Sequence, residues 1–383
     1  MSAKQLKIKD LQTPCLLLDI NTLKNNINSL SMRIQSLGSK LRPHVKTHKS
    51  ANVMQEVLDG GNVQGITVST LKEADYFFEQ GERDILYAVS ISPDKLSHIQ
   101  QLMSVGCDIK IVLDCIEAAQ AVNAFGEEQG ITFKVLIELD TDGHRSGVLP
   151  ESEELIDIAK ALNDGKGSQM LGVMTHAGES YTCNNPDALL AIARQERDRT
   201  LLAANRLNQA NLPCPIVSVG STPTAFSIDD LTGITEVRAG VYTFFDLVMK
   251  GVGVCTQQDI ALSVLSSVIG FQKAKGWIIT DGGWMALSRD RGTSNQDIDY
   301  GYGLVSDING HAVEDFIVSS ANQEHGIVAC QTKGKQALPF NITLGSQIRV
   351  LPNHACSTAS QYTKYYVVDG ENVVAEWERI NGW

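Results

Sequence analysis

The sequence predicts an α/β protein in which a parallel (β/α)8 barrel of the TIM type precedes a mainly antiparallel β domain. Eight short β-rich segments alternate with longer helical patterns between residue 41 and about residue 245, which is the element order of a parallel barrel. No glycine-rich phosphate loop of an open doubly wound sheet, GxGxxG or GxxxxGK(S/T), follows the first strands. Beyond about residue 250, strand patterns alternate with Gly, Asn and Asp turns, and no long helical pattern interrupts them.

The barrel strands are predicted where apolar and β-branched residues cluster in short runs. These runs are 41–46, 65–69, 85–90, 109–114, 133–139, 170–175, 216–219 and 236–243. Apolar residues recur at helical spacing around and between them, over 22–37, 70–80, 94–104, 115–129, 151–162 and 187–210. Thr70 and Glu73 have the spacing of a capping box, and Gly81 follows where that helix would end.

The second domain is predicted from six further strand patterns. They are 260–269, 276–280, 315–319, 326–330, 347–351 and 362–369. A strand-like segment at 13–19 precedes the first barrel helix and could join them. We therefore expect a barrel over residues 20–250, and a β domain formed by residues 1–19 and 251–383. A chain of 383 residues is long enough for two such domains.

Composition narrows the classes of function. Hydrophobic residues make up 43% of the chain, which is enough for a large core. Lys and Arg total 32 and Asp and Glu total 44, so the formal charge is −12, which argues against a nucleic-acid or anionic-membrane surface. No stretch approaches the roughly 20 apolar residues of a membrane span, and the N-terminus lacks the apolar core of a signal peptide. We expect a soluble, cytoplasmic protein whose eight scattered cysteines do not serve as disulfides.

Lys46 is the first residue that suggests chemistry. Strand alternation would put Arg42, His44 and Lys46 on one inward face, where a barrel normally carries apolar residues. A buried lysine is costly unless its charge is shed or paired. A Schiff base with an aldehyde cofactor would remove the charge. The alternative is a lysine paired with Glu138 or Asp140, and Lys46 alone favours that alternative.

Two glycine-containing segments on the last two barrel strands favour the Schiff-base interpretation of Lys46 over the ion-paired one. Gly220-Ser-Thr222 and Gly240-Val241 follow neighbouring strands, and the last strands of such barrels commonly bind phosphate through backbone N–H groups and small hydroxyls. The first strand adjoins the eighth once a barrel closes, so Lys46 beside this phosphate site suggests pyridoxal 5′-phosphate. Each glycine alone is equally consistent with an ordinary loop.

His354 and Cys356 form a possible metal site in the turn Pro352-Asn-His-Ala-Cys356. An imidazole and a thiolate two residues apart could hold one Zn²⁺ and leave room for water or substrate. A loop histidine beside a buried cysteine is the commoner meaning of this spacing, and only agreement with the lysine and phosphate features favours a metal. Further candidate ligands or hydrogen-bonding groups are His48, His144, His176 and His325.

A series of motifs then spans nearly the whole chain. It comprises Leu11-Gln-Thr-Pro14, Arg42-Pro-His-Val-Lys-Thr-His48, Asp140-Thr-Asp-Gly-His-Arg-Ser-Gly147, His176-Ala-Gly, Gly220-Ser-Thr-Pro-Thr224, Asp281-Gly-Gly, Ser288-Arg-Asp-Arg-Gly292, Glu324-His-Gly326 and Pro352-Asn-His-Ala-Cys356. In this combination and order the chain resembles the fold-type III pyridoxal-phosphate enzymes, in the branch of D-serine dehydratase, D-threo-3-hydroxyaspartate dehydratase and D-threonine aldolase. Alanine racemase is a more distant relative that shares the barrel and the Arg238-x-Gly240 pattern but lacks the His-x-Cys site.

The resemblance implies a role for individual positions. Lys46 resembles the catalytic Schiff-base lysine, and Arg145 resembles the arginine near the phenolic oxygen of the cofactor. Further cofactor-binding positions are Tyr181, Thr222, Gly240 and Val241, the last three around the phosphate. His354 and Cys356 match the metal ligands, with Zn²⁺ favoured over Mn²⁺, Co²⁺ or Mg²⁺. Two positions depart from the pattern: Met174 stands where some relatives carry a cofactor-contacting tyrosine, and Glu179 stands where a histidine is common.

The resemblance implies a metal-dependent lyase acting on a D-3-hydroxy amino acid. In a dehydratase, Lys46 would remove the α-proton while the metal helps the β-hydroxyl leave, and a 2-oxo acid and ammonia would result. Cys356 favours this reaction, because aldolases of the family more often have Asp at that position.

Three other functions stay open. A D-threonine aldolase would give glycine and an aldehyde, and an amino-acid racemase would need a second base and no metal. A non-catalytic cofactor-binding protein would resemble the single-domain barrel relatives, which lack the β domain. We also expect a homodimer, as is common among fold-type III relatives.

Overall fold

A computed structural model describes residues 5–332 and 341–383 of the chain, with the side chains of Ala312 and Glu314 outside the description. Its strands are β1 (Cys15–Asp19), β2 (Lys40–Pro43), β3 (Ile66–Val68), β4 (Asp84–Ser90), β5 (Asp108–Leu113), β6 (Phe133–Leu139), β7 (Ser168–Thr175), β8 (Ile216–Val219), β9 (Glu236–Ala239), β10 (Leu262–Gln272), β11 (Trp277–Thr280), β12 (Leu304–Ser306), β13 (Ala312–Ala321), β14 (Gly326–Cys330), β15 (Gln347–Leu351), β16 (Lys364–Asp369) and β17 (Asn372–Glu378). Its α-helices are α1 (Ile20–Ser36), α2 (Ala51–Asp59), α3 (Leu71–Glu79), α4 (Leu96–Ser104), α5 (Ile116–Gln129), α6 (Glu153–Asp164), α7 (Pro186–Gln209), α8 (Thr222–Ser227), α9 (Leu247–Val252), α10 (Trp284–Leu287) and α11 (Ala355–Ala359).

Strands β2 to β9 form one parallel sheet in the order β2-β9-β8-β7-β6-β5-β4-β3. The two outer strands are joined by main-chain hydrogen bonds, in which Val45 N donates to Thr67 O at 3.0 Å and Gln64 N donates to Leu41 O at 2.8 Å. These bonds close the sheet into a barrel, so the predicted (β/α)8 architecture is confirmed.

The ends of the first and last barrel strands differ from the prediction. The predicted run 41–46 ends as a strand at Pro43, and Lys46 lies in the turn that follows. The predicted run 236–243 ends as a strand at Ala239, and a 3₁₀ turn follows from Val241 to Thr243. The two strands pair with each other, and Pro43 lies opposite Ala239. Their pairing ends there because both segments then turn away.

Charged side chains from β2, β4, β5 and β9 form an ion-pair network in the barrel unit. The guanidinium of Arg42 is 1% exposed, with Nε 2.7 Å from Glu236 Oε2 and Nη1 3.0 Å from Asp84 Oδ1. Lys110 Nζ also lies 2.7 Å from Asp84 Oδ1. Because a buried charge is costly unless it is paired, this ion-pair network explains how an arginine occupies the barrel core.

The second sheet has nine strands in the order β11-β14-β13-β12-β15-β10-β1-β16-β17, and β10 also pairs with β11. All its pairs are antiparallel except β1 with β16, which confirms the mainly antiparallel β domain. The N-terminal strand β1 pairs with β10 on one side and β16 on the other. Strands β12 and β17 and helix α2 were not anticipated from the sequence.

The chain divides into two compact units. One, here called the barrel unit, comprises Asn28–Lys46, Val57–Gly240 and Gly382–Trp383. The other, the β unit, comprises residues up to Ile27, Thr47–Glu56 and Val241–Asn381. The predicted domain limits of 20–250, and of 1–19 with 251–383, stay a prediction, and residues 1–4 and 333–340 of them lie outside the described residues. No helix in the described part of the chain is long and apolar enough to cross a membrane.

Candidate active site

Lys46 stands in a turn just beyond the carboxyl end of β2, and its side chain is exposed. The expectation of a buried lysine on an inward strand face was therefore wrong, because the strand ends at Pro43. The two carboxylates considered as its partners have other partners. Glu138 accepts a hydrogen bond from Ser90 Oγ at 3.1 Å, and Asp140 Oδ1 accepts from the main-chain N–H of residues 142 and 143.

Two imidazoles near Lys46 are held in the neutral form. Removal from water, followed by the positive charges of Lys46 and Arg145, lowers the pKa of His176 to about 3. Burial, followed by the charges of Lys46 and Arg238, lowers the pKa of His44 well below its usual value. His176 Nδ1 lies 3.1 Å from Gly220 O and therefore donates to it. The rings of His44 and His176 therefore add no positive charge to this cluster.

Arg145, like Lys46, lies close enough to His176 for its positive charge to lower the pKa of that imidazole. Its Nη2 is 3.8 Å from Glu138 Oε1, and Glu138 is almost fully buried at the end of β6. Tyr181 contacts the same group of residues, with its ring centroid 6.0 Å from that of His176. The structure thus places Lys46, Arg145 and Tyr181 around His176, and their assignment to one cofactor site stays a prediction.

The predicted phosphate site has a free hydrogen-bond donor. Thr222 is 1% exposed, and among the described residues its Oγ1 has no hydrogen-bond partner. A buried hydroxyl without a partner is costly, and a phosphate oxygen would satisfy it. Gly220 has φ of 129°, and a Cβ there would lie 2.3 Å from Arg238 O, so only glycine permits this approach of β8 to β9. Lys46, Thr222 and the neutral imidazoles therefore fit pyridoxal phosphate.

The remaining cofactor positions are placed as follows. Gly240 is buried directly after β9 in the barrel unit, and Val241, 8% exposed, begins the next segment of the β unit. Met174, on β7, packs into an apolar cluster with Leu86 of β4 and Val112 of β5. A thioether cannot replace the phenol of the relatives as a hydrogen-bond donor.

Glu179, the other departure from the family pattern, pairs with His144 on the surface. Its Oε1 lies 2.9 Å from His144 Nδ1, and both side chains are substantially exposed. This hydrogen bond is the main cause that lowers the pKa of the Glu179 carboxyl. His144 is therefore occupied by a surface partner. His48 is buried and bonds Ser50 through Nδ1, and His325 is exposed.

In the β unit, His354 and Cys356 stand at the start of the short helix α11. Asp290 Oδ2 lies 2.6 Å from His354 Nδ1 and also accepts a hydrogen bond from Ser357 Oγ at 2.9 Å. Thr47 Oγ1 is 3.2 Å from Cys356 Sγ. With Nδ1 bound to a carboxylate, only Nε2 of His354 can serve as a ligand, which is the usual arrangement of metal-binding histidines.

A second carboxylate fixes the turn itself. Asp246 is 1% exposed and accepts the N–H of Ala355 on Oδ2 and the N–H of Met249 on Oδ1, both at 2.9 Å. The backbone between His354 and Cys356 is thereby tied to the start of α9. The position of the two candidate ligands consequently depends on hydrogen bonds to the main chain.

The charges at this cluster favour a cation. Burial would lower the pKa of His354, but the adjacent Cys356 and the hydrogen bond to Asp290 raise it well above its usual value. The hydrogen bond with His354 is also the main cause that lowers the pKa of Asp290. No group of three or more His, Cys, Asp or Glu ligands occurs within the described residues. A metal held here would therefore keep open positions, and the nitrogen and sulfur donors suit Zn²⁺.

Sequence reasoning did not identify Asp290, Asp246 or Glu196 as parts of these clusters. Asp290 lies 64 residues from His354 in the chain, and no periodic pattern connects the two. Glu196 offered a signal, since it is the acidic member of a buried stripe on α7 that otherwise contains mostly apolar residues.

The family described as alanine racemase, N-terminal domain matches residues 18–248, and the family described as putative serine dehydratase domain matches residues 261–368. D-threo-3-hydroxyaspartate dehydratase of Delftia sp. (strain HT23) is 50% identical over 375 residues, covering 97% of this chain and 98% of that protein. D-threonine aldolase of Arthrobacter sp. is 25% identical, covering 96% and 91%.

One solved structure is relevant to the metal cluster. A cysteine-to-alanine variant of D-threo-3-hydroxyaspartate dehydratase in the metal-free form has a TM-score of 0.95 and 49% identity, covering 99% of this chain and all of that chain. The fold, both domain families and the near-complete overlap agree with the motif series of the sequence. This chain belongs to the fold-type III pyridoxal-phosphate family that contains D-serine dehydratase, D-threo-3-hydroxyaspartate dehydratase and D-threonine aldolase.

Proposed function

We propose that this protein is a pyridoxal-phosphate- and divalent-metal-dependent lyase that dehydrates a D-3-hydroxy amino acid of the D-threo-3-hydroxyaspartate or D-serine type. The observation that carries the proposal is the 50% identity, over nearly the full length of both chains, to a D-threo-3-hydroxyaspartate dehydratase. The His354–Asp290 hydrogen bond beside Cys356 supports it, because it presents one imidazole nitrogen and one sulfur to a metal.

Pyridoxal phosphate, when bound, supplies an electron sink for negative charge at the α-carbon of an amino acid. Lys46 would carry the cofactor on its ε-amine and, once displaced by substrate, hold the α-proton on the same nitrogen. The buried hydroxyl of Thr222 would donate to the phosphate, with Gly240 and Val241 alongside. Arg145 would lie against the phenolic oxygen, where Glu138 limits its movement.

The neutral state of His176 and His44 matters for Lys46. A protonated imidazole would add a fourth positive charge to a cluster that already contains Lys46, Arg145 and Arg238. Because both rings stay neutral, neither adds a positive charge that would oppose uptake of a proton by Lys46. This electrostatic arrangement suits a lysine that acts as a general base.

The metal would act on the β-hydroxyl of the substrate as a Lewis acid. His354 Nε2 and Cys356 Sγ would hold it, and Asp290 would keep the imidazole oriented. In the overall reaction the α C–H and β C–O bonds break, water leaves, and the resulting enamine hydrolyses to a 2-oxo acid and ammonia. Zinc as the metal, a homodimer and a cytoplasmic location are further parts of this proposal, and they rest on the resemblance alone.

A product assay tests the reaction. The purified protein, supplied with pyridoxal phosphate and Zn²⁺, is mixed separately with D-threo-3-hydroxyaspartate, D-serine and D-threonine, with and without chelator. We expect 2-oxo acid and ammonia in equal amounts and loss of activity with chelator. Glycine and an aldehyde would identify an aldolase instead, and inversion at the α-carbon without oxo acid, such as L-serine from D-serine, would identify a racemase.

Cofactor binding is tested independently of turnover. The wild type should show an absorption band at about 420 nm from the lysine-linked cofactor, and Lys46→Ala should lose this band. Lys40→Ala, at the exposed start of β2, is the matched control and should keep the band. A wild type that binds the cofactor but converts no D-3-hydroxy amino acid would indicate a non-catalytic binding protein.

A further inference from the structure

Glu196 is a buried carboxyl group on helix α7. The buried face of this helix otherwise carries apolar residues and one threonine, and Glu196 itself is 3% exposed. A carboxyl group on the face that a helix packs against a barrel is costly unless its oxygens are hydrogen-bonded. Its partners therefore indicate why it is there.

The Oε1 atom of Glu196 accepts two main-chain hydrogen bonds, one from Ala177 N and one from Gly220 N, each 3.0 Å long. Ala177 follows β7 by two residues, and Gly220 directly follows β8. One side chain thus ties together the ends of two neighbouring barrel strands, at the point where their ladder has stopped.

The Gly220 peptide is held from both sides. Its N–H is bound by Glu196 and its C=O accepts from His176 Nδ1 at 3.1 Å. The next residue, Ser221, is fixed in turn by Ser180, with the two hydroxyl oxygens 2.9 Å apart. Thr222, whose buried hydroxyl is the candidate phosphate donor, follows immediately. Glu196 therefore fixes the peptide two residues before Thr222, and Ser180 fixes the residue between them.

The carboxyl group can serve this purpose whether or not it is ionised. Burial raises the pKa of Glu196, while hydrogen bonds from Thr224 and from the two main-chain groups act in the opposite direction. A carboxylate oxygen and a carbonyl oxygen both accept N–H bonds. An amide has the same acceptor, so Gln should replace Glu196 more successfully than an apolar residue of similar size.

We propose that Glu196 is a positioning residue for the cofactor, which holds the Gly220–Thr222 turn and the ring of His176 in the geometry that receives the phosphate end. The inference rests on the proposed function, because it presupposes that pyridoxal phosphate binds in the barrel unit. Glu196 does not touch the cofactor itself. It acts through the Gly220 peptide.

The test compares pyridoxal phosphate with pyridoxal, which lacks the phosphate. Full-length protein is stripped of cofactor and titrated with each compound. The measured quantity is the affinity for pyridoxal phosphate divided by the affinity for pyridoxal. Glu196→Ala should lower this ratio at least about tenfold, because a donor that is no longer held in place binds less tightly. Glu196→Leu, which keeps bulk on the buried face of α7, should lower it similarly, and Glu196→Gln should restore most of it.

Leu207→Ala is the matched control. Leu207 is fully buried on the same face of α7, so its loss disturbs packing without removing an acceptor. It should lower stability and leave the affinity ratio unchanged. The inference is overturned if Glu196→Ala and Glu196→Leu keep the wild-type ratio, or weaken both compounds equally. A wild type that binds neither compound would overturn the proposed function instead.

Discussion

His354 Nδ1 lies 2.6 Å from Asp290 Oδ2, and this hydrogen bond leaves Nε2 as the only ring nitrogen that can bind a metal. Asp290 therefore controls both the tautomer and the orientation of the histidine. We expect Asp290→Ala to weaken Zn²⁺ binding by about 10- to 100-fold. Asp290→Asn should weaken it less, because the amide oxygen still accepts the Nδ1 proton.

The measurement is competition for Zn²⁺ between the full-length protein and a chromophoric chelator. The control is Asp75→Asn, which alters another Asp–His pair, with Asp75 Oδ1 2.9 Å from His98 Nε2 on the surface of the barrel unit. This control should bind Zn²⁺ like the wild type. Equal affinities for wild type and Asp290→Ala would show that the carboxylate does not orient a ligand.

Cys356 should determine which metal the site prefers. A thiolate favours Zn²⁺, whereas a carboxylate favours harder cations such as Mn²⁺ and Mg²⁺. We therefore expect Cys356→Asp to lower the affinity for Zn²⁺ relative to that for Mn²⁺, as measured by metal content after equilibration with both ions. Cys330→Asp makes the same exchange at another half-buried cysteine of the β unit and should keep the preference. An unchanged preference in Cys356→Asp would exclude the sulfur as a ligand.

The interior elements of the barrel could be predicted because their signals are local. Strand β6 (Phe133–Leu139) and strand β8 (Ile216–Val219) have the predicted limits, since each is a short, mostly apolar run ended by a change in composition. The end of β2 could not be predicted from its own residues. It depends on where β9 stops, about 200 residues later, and Lys46 consequently lies in a turn.

The candidate site likewise contains some residues with local sequence signals and others whose roles depend on distant parts of the chain. Lys46 and the His354-x-Cys356 pair are recognisable within short motifs. Asp290 becomes a partner of His354 only through folding, and Glu196 becomes meaningful only when the N–H groups it binds are known. An acidic residue in an apolar helical stripe was visible in the sequence, but no sequence pattern shows which N–H groups at the ends of β7 and β8 it binds.

Arg42 should be essential for barrel stability. Its guanidinium bridges Glu236 and Asp84 inside the barrel, and burial followed by the opposing effect of these carboxylates leaves the pKa of Arg42 raised. Removing one partner of a buried ion pair typically costs about 3–5 kcal/mol, because the remaining charges lose their partner. We expect Arg42→Met to lower the free energy of unfolding by about this amount. Arg42→Lys should also be destabilised, since a single ammonium cannot replace the fork.

Urea unfolding followed by circular dichroism measures this effect. The control is Arg194→Met, which removes an exposed arginine paired with Asp229 on the surface. Exposed ion pairs contribute little, so the control should unfold near the wild-type midpoint. If Arg42→Met unfolds at the same urea concentration as the control, the buried network does not stabilise the barrel.

His48 should make the stability of the protein depend on pH. Its side chain is fully buried, with Nδ1 bonded to Ser50, and burial lowers its pKa to about 3 despite that hydrogen bond. In the unfolded chain a histidine has a pKa of about 6.5. Between these two values the unfolded state binds one more proton than the folded state. Stability is therefore intact above about pH 6.5 and is lost as the pH falls, at up to about 1.4 kcal/mol per pH unit.

Replacing His48 should remove this contribution. Urea midpoints of wild type and His48→Gln, measured from pH 8 to pH 4.5, should run parallel above about pH 6.5 and converge below it. The convergence arises because only the wild type has the buried imidazole that the unfolded state can protonate. His325→Gln removes an exposed histidine of the β unit and should follow the wild type throughout. Curves for His48→Gln and wild type that stay parallel down to pH 4.5 would mean that His48 is protonated in the folded protein, and its environment would then have to contain a compensating negative charge.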